Sequence, residues 1–209
     1  MQQNLIWFLR ILIVIQSLGY AAKLAAPSAL NSYLLGSMGG SFVSGLDHAV
    51  WLFLLFASVA LLVLGFLRPA VSSVLGKVDF ALLGLLALWP FTLAVFSWLN
   101  NMGDAFHATD PIGHAVRFAA PLALVILSFN PNQLWQNRVD WLLRLSVAGA
   151  FIGHGLCAWW IKPSFIDLIV GTLDTLLGQD LAASASRQAF AEASLPVIAV
   201  QDFILVALL

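Results

Sequence analysis

Charge is what this sequence has least of: among 209 residues, nine are Lys or Arg and ten are Asp or Glu. At 9% charged residues, against about 25% in an ordinary soluble domain, the chain cannot cover a globular surface with ionised groups. The same shortage excludes a disordered chain and a basic nucleic-acid binder, so no nucleic-acid partner is expected. One cysteine, Cys157, excludes an intrachain disulfide framework and a multi-thiolate metal site. Tyrosine is also sparse, with two residues against 15 Phe and eight Trp. That Trp surplus suits a bilayer interface. There is no nucleophile elbow, P-loop, dinucleotide fingerprint, His-Glu-x-x-His or Cys-x-x-Cys. Their absence removes the chemistries those motifs serve and favours a non-catalytic membrane subunit over an independent enzyme, with no catalytic residue assigned.

What is present is apolar: 61% of residues are hydrophobic and the mean hydropathy is +0.96. The sequence predicts an all-α, polytopic transmembrane helix bundle of about six spans. Charge-free windows locate them, because an ionised group in hydrocarbon costs at least ~2.5 kcal/mol. The expected spans are 5–25, 49–67, 80–99, 112–129 and 141–161, with a sixth beginning near Leu195. The window 24–46 is also uncharged, but five Ser, four Gly, Pro27 and Asn31 favour turns. It reads as a loop at the interface.

Counting Lys and Arg by side predicts a cytoplasmic N-terminus: Arg10, Arg68, Lys77, Arg138 and Arg144 fall inside, and Lys23, Arg117, Lys162 and Arg187 outside. Linker 100–112 has no Lys or Arg, whereas Arg68 and Lys77 share one short loop. All four histidines, His48, His107, His114 and His154, then fall in the outer half. The start Met-Gln-Gln-Asn lacks a basic n-region, so no cleavable signal peptide is expected.

An internal repeat is visible. Residues 7–20 and 141–154 share Trp7/Trp141, Leu9/Leu143, Arg10/Arg144 and Gly19/Gly153 at an offset of 134, and Pro27-Ser28 and Pro163-Ser164 follow at 136. The reading is a parallel repeat of a four-helix unit. The first unit is 1–138, and 139–209 is the start of a second, incomplete unit with a long outer amphipathic linker (162–193). On this reading two further helices are expected beyond Leu209. Within the linker, Phe165, Leu168, Ile169, Leu173, Leu176 and Leu177 fall at helical spacing. The acidic Asp167 and Asp174 argue against anchoring to anionic lipid, so this helix is expected to cover the outer mouth of the bundle or dock a partner.

Five residues are candidate ligand-binding groups. Arg10 and Arg144 follow Trp about one turn inside the cytoplasmic boundary; snorkelling to the phosphates accounts for both, and holding an anionic or carbonyl ligand is the sharper alternative. His154 lies in Gly153-His154-Gly155 on a helix that Gly149, Gly153 and Gly155 strip of side chains. It is either a core histidine bonded to a backbone carbonyl or a donor to a quinone carbonyl. Asp202, an intramembrane carboxylate six residues after Pro196, is a functional candidate; the plainer alternatives are a buried pair with Arg117 or a carboxyl kept neutral by desolvation. Arg117 lies one turn into the fourth span. A metal site joining His107, Asp110, His114 and Asp104 has no recognised ligand spacing and is broken by Pro111, so no metal is expected. Neither is a haem bridging His114 and His154, since His114 sits at a helix start.

At Arg144…Gly153-His154-Gly155 the fifth span resembles the first helix of the DoxX family of small four-helix bacterial membrane proteins, which opens with an early Arg and a later His-Gly. The first span resembles a degenerate copy, with Arg10 and Gly19 kept and Tyr20 in the His position. The chain departs from the pattern after His-Gly, where Ala158 and Lys162 stand in place of an early Lys. The resemblance implies a bacterial inner-membrane protein attached to quinone-linked redox chemistry, carried over to Arg144, His154 and Gly155 alone. Expected partners are membrane lipids and other membrane subunits, with quinone as the candidate ligand and no cofactor of the chain's own. The alternative is a scaffold subunit of a large respiratory or photosynthetic complex; a small-solute transporter has less support.

Overall fold

The computed structural model describes residues 2–24, 26–35, 38, 40–67, 73–130, 132–178 and 183–209. Among them the helices are α1 (Gln2–Lys23), α2 (Ala29–Leu34), α3 (Gly40–Leu67), α4 (Val74–Asn100), α5 (Ala105–Ala108), α6 (Asp110–Gly113), α7 (Ala115–Phe129), α8 (Gln133–Trp159), α9 (Pro163–Leu177) and α10 (Ser184–Leu208). No strand occurs among the described residues. Five helices, α1, α3, α4, α8 and α10, are long and apolar enough to cross a bilayer, which fits a multi-pass membrane protein.

Side-chain caps start several of these helices where the sequence turns polar. Ser73 accepts from Gly76 N at 3.0 Å ahead of α4, and Asn132 from Leu134 N at 3.0 Å ahead of α8; each satisfies an N–H that the helix itself leaves open. Once started, the helices run past the charge-free windows. α3 begins at Gly40, nine residues before the expected span, so much of the segment expected to be a loop is helical. Positions 36, 37 and 39 of its Gly-rich stretch lie outside the described residues. α4 begins at Val74 and takes Asp79 inside it. α8 begins at Gln133, so the division at 138/139 falls within a continuous helix. α10 begins at Ser184 and absorbs the end of the expected linker, while α9 coincides with its amphipathic part. The expected fourth span is broken at His114 into α6 and the 15-residue α7.

α1 packs between α3 and α7, α4 packs on the other side of α7, and α8 joins this group through α7 and carries α10 on its far side. Leu9, Ile13, Leu54, Leu61, Leu83 and Leu124 fill the main core. A smaller core forms where Ala158, Leu195 and Ala199 meet Phe165, Ile166 and Ile169 of α9. Close approach depends on missing side chains. A Cβ on Gly153 would stand 2.6 Å from Gly113 Cα, and one on Gly149 3.2 Å from Ile112 Cγ2, so α6 rests directly on the backbone of α8. The outer surface is apolar, with Phe56, Phe66, Leu88 and Trp141 all exposed.

Candidate functional site

Several of the few charges are paired inside the bundle. Arg10 reaches from α1 to Asp79 on α4 through two hydrogen bonds, 2.9 Å to Oδ1 and 2.6 Å to Oδ2, and donates a third to Leu61 O at 3.1 Å. Both side chains are almost fully buried. Gly65 makes the space, since a Cβ there would lie 2.8 Å from Arg10 Cδ. Arg10 therefore does not snorkel: both its terminal nitrogens are turned to a planar carboxylate and a helix carbonyl inside the bundle. Arg144, by contrast, is exposed and donates to Leu209 O at 3.0 Å.

At the opposite end of the bundle, Asp47 of α3 accepts from Ser28 N at 3.0 Å, Ser28 Oγ at 2.6 Å and Asn31 Nδ2 at 2.8 Å. Three donors hold a buried carboxylate without a cation, and in doing so clip α2 to α3. Nearby, Asp110 accepts from Ser97 Oγ at 2.5 Å and lies 3.1 Å from His107 Nδ1. His107 Nε2 is 3.7 Å from Asp104. No cluster of three or more His, Cys, Asp or Glu groups able to hold a metal exists among the described residues.

The same end contains a cavity of about 270 Å³ between α1, α4 and α7, lined by apolar side chains together with Tyr20, Lys23, His114 and Arg117. Arg117 lies over the Tyr20 ring, 5.9 Å from its centroid, and its backbone carbonyl accepts from Gln16 Nε2 at 2.7 Å. His114, at the joint between α6 and α7 and outside the spanning helices, has its pKa lowered from 6.5 to about 4. Burial is the main cause; Arg117 and, more weakly, Lys23 and Lys162 add to it, while Asp110 opposes it.

The remaining candidates, His154 and Asp202, meet across α8 and α10. His154 Nδ1 stands 2.5 Å from Asp202 Oδ2, a hydrogen bond between the two side chains. Asp202 thus pairs with His154 and not with Arg117, and His154 bonds a carboxylate rather than a backbone carbonyl. Gly155 sets the approach: a Cβ there would meet Phe203 Cε1 at 2.9 Å and Asp202 Cβ at 3.2 Å. The Asp202 side chain is 8% exposed, that of His154 50%. Phe165 of α9 flanks the imidazole with ring centroids 4.7 Å apart. With Nδ1 turned to the carboxylate, Nε2 is the ring nitrogen left without a partner among the described residues.

The five sequence candidates therefore divide: His154 and Asp202 come together, while Arg10, Arg117 and Arg144 lie elsewhere. Sequence reasoning missed Asp79, Asp47 and the Tyr20–Lys23 side of the cavity. The available signal for Asp79 was Arg10 itself, because an arginine inside an apolar helix needs an acid at matching depth.

Fold and site together define an apolar helical bundle with a buried Arg10–Asp79 pair and a half-exposed His154–Asp202 pair. No family model, curated protein or solved structure matches the chain.

Proposed function

We propose that this chain is an integral, six-span subunit of a quinone-linked redox assembly of the bacterial inner membrane, N-terminus cytoplasmic, and that His154 and Asp202 form its quinone contact. The observation that carries this reading is the oriented dyad, buried on the carboxylate side and open on the imidazole side. The quinone and the redox centres of partner subunits supply the electron chemistry. In this chain, His154 Nε2 accepts a hydrogen bond from a quinol hydroxyl and takes its proton as the electron leaves to a partner centre. Asp202 stabilises the resulting imidazolium. Phe165 offers a flat apolar neighbour for the ring.

The sixth span is α7, which begins just past His114. The parallel repeat draws support from α1–α2–α3 and α8–α9–α10, each a long helix, a shorter helix and a long helix. In both, the leading Arg donates to a main-chain oxygen at the third helix, Leu61 O within α3 and Leu209 O just past the end of α10. A scaffold role in a larger membrane complex is the second reading, favoured by exposed Trp141 and Trp159 on α8.

Photoaffinity labelling of the purified protein with an azido-quinone tests the site. The label is expected on residues 150–165 or 198–206, with yield falling about tenfold in His154→Ala and Asp202→Asn, as expected for losing ~1.4 kcal/mol of binding. Labelling that is unchanged in both variants overturns the dyad as the contact.

A further inference from the structure

We propose that the cavity between α1, α4 and α7 is a separate binding site for the phosphate head of an anionic, two-chain membrane lipid, held between Lys23 and Arg117. Lys23 and Arg117 are exposed cations that form no ion pair with a described carboxylate. The nearby carboxylates already have other partners: Asp47 has Ser28 and Asn31, Asp110 has Ser97 and His107, and Asp104 has the Phe106 N–H and His107. An uncompensated pair of cations at an apolar hollow is a site for an anion. The start of α7 adds to the field, because no side chain caps its first turn.

The shape argues for a lipid over a small anion. Tyr20, Lys23 and Arg117 line two hollows at once: the cavity of about 270 Å³, walled by Leu24, Trp89 and Leu93, and a recess of about 290 Å³ over Gln16 and Gly19. A head group in the recess thus lies among Gln16, Lys23 and Arg117, with the apolar cavity beside it for the upper part of a chain. Trp89, itself buried, closes the inner wall of the cavity with its indole ring. Gly19 keeps the recess open: a Cβ there would meet nothing within 4 Å. Arginine supplies the planar fork that suits phosphate, and lysine a second point charge. His114 at the cavity wall adds no negative charge against the anion.

The site is tested by native mass spectrometry and lipid-dependent melting of the whole chain in nanodiscs of phosphatidylglycerol or phosphatidylcholine. Wild type should retain phosphatidylglycerol preferentially and melt higher in it. Lys23→Gln/Arg117→Gln should weaken that retention by about ten- to a hundredfold, the loss expected of charge-assisted hydrogen bonds. Gly19→Leu, which fills the recess and leaves every charge in place, should weaken it about fivefold or more, since an apolar side chain of this size displaces ~1 kcal/mol of contact. Equal retention of both lipids, or unchanged retention in both variants, overturns the proposal. Stabilisation by sodium phosphate alone as large as that by phosphatidylglycerol overturns the lipid as the source of the phosphate. Should the double variant fail to fold, Gly19→Leu decides by itself, its side chain meeting open space. A quinone labelling pattern that survives in all these variants separates this site from the His154–Asp202 contact.

Discussion

Arg10 and Asp79 show what one charge requires in an apolar bundle. Each would be costly alone, and together they form a two-bond pair that a third bond from Arg10 ties to the Leu61 carbonyl. Breaking one side leaves a buried ion without its partner, so Asp79→Asn should destabilise the protein by about 3–5 kcal/mol. The double change Arg10→Met/Asp79→Leu should recover most of that loss, since apolar replacement of a buried pair is often neutral. Denaturant titration in detergent micelles measures both, and a double variant no more stable than Asp79→Asn would contradict the pairing. His114 gives a pH-dependent counterpart. Its folded pKa of about 4 lies below the ordinary 6.5, so between those values the unfolded chain binds more protons than the folded one. Stability is then full above pH ~6.5 and declines as pH falls toward ~4. His114→Gln should flatten that slope; an unchanged slope would place its origin elsewhere.

Among the elements, α8 is the most constrained, because it meets α6 and α10 through glycines. Gly153→Ala would drive a Cβ to 2.6 Å from the Gly113 backbone, which cannot yield as a flexible side chain does. A loss of about 1–3 kcal/mol is expected. Gly171→Ala on α9, where a Cβ meets nothing within 4 Å, should instead be neutral or stabilising by up to ~1 kcal/mol. Thermal melts of the two variants side by side should give opposite signs. The helices themselves were legible in the sequence because apolar runs without charge have few other uses. Their ends were not: α3 and α4 begin well before their apolar runs and enclose Asp47 and Asp79. What permits this is a partner from another element, Ser28 and Asn31 for one and Arg10 for the other, which no local window can reveal. The dyad was half legible. His154 and Asp202 each stood out as a polar residue in an apolar helix, but their pairing depends on Gly155 admitting α10. The cavity was the least legible, because Lys23, Arg117 and Tyr20 come together only when α1 and α7 pack.

For the whole molecule, the proposed orientation places the Arg10–Asp79 end in the cytoplasm and the four histidines toward the periplasm. Reporter fusions after Lys77 and within 170–190 should read cytoplasmic and periplasmic respectively; the reverse would invert every statement of side. The Arg10–Asp79 link also has a consequence for how the bundle is made. Its two halves lie 69 residues apart, on the first and third of the long apolar helices. At a synthesis rate of ~5–20 residues per second, α1 leaves the ribosome roughly 3–14 s before Asp79 exists. During that interval its arginine has no carboxylate to meet. A nascent chain arrested after α3 should therefore hold α1 loosely, extractable by alkali or still in contact with an insertase. One arrested after α4 should have it locked in place, so the third long helix sets when the first becomes permanently seated.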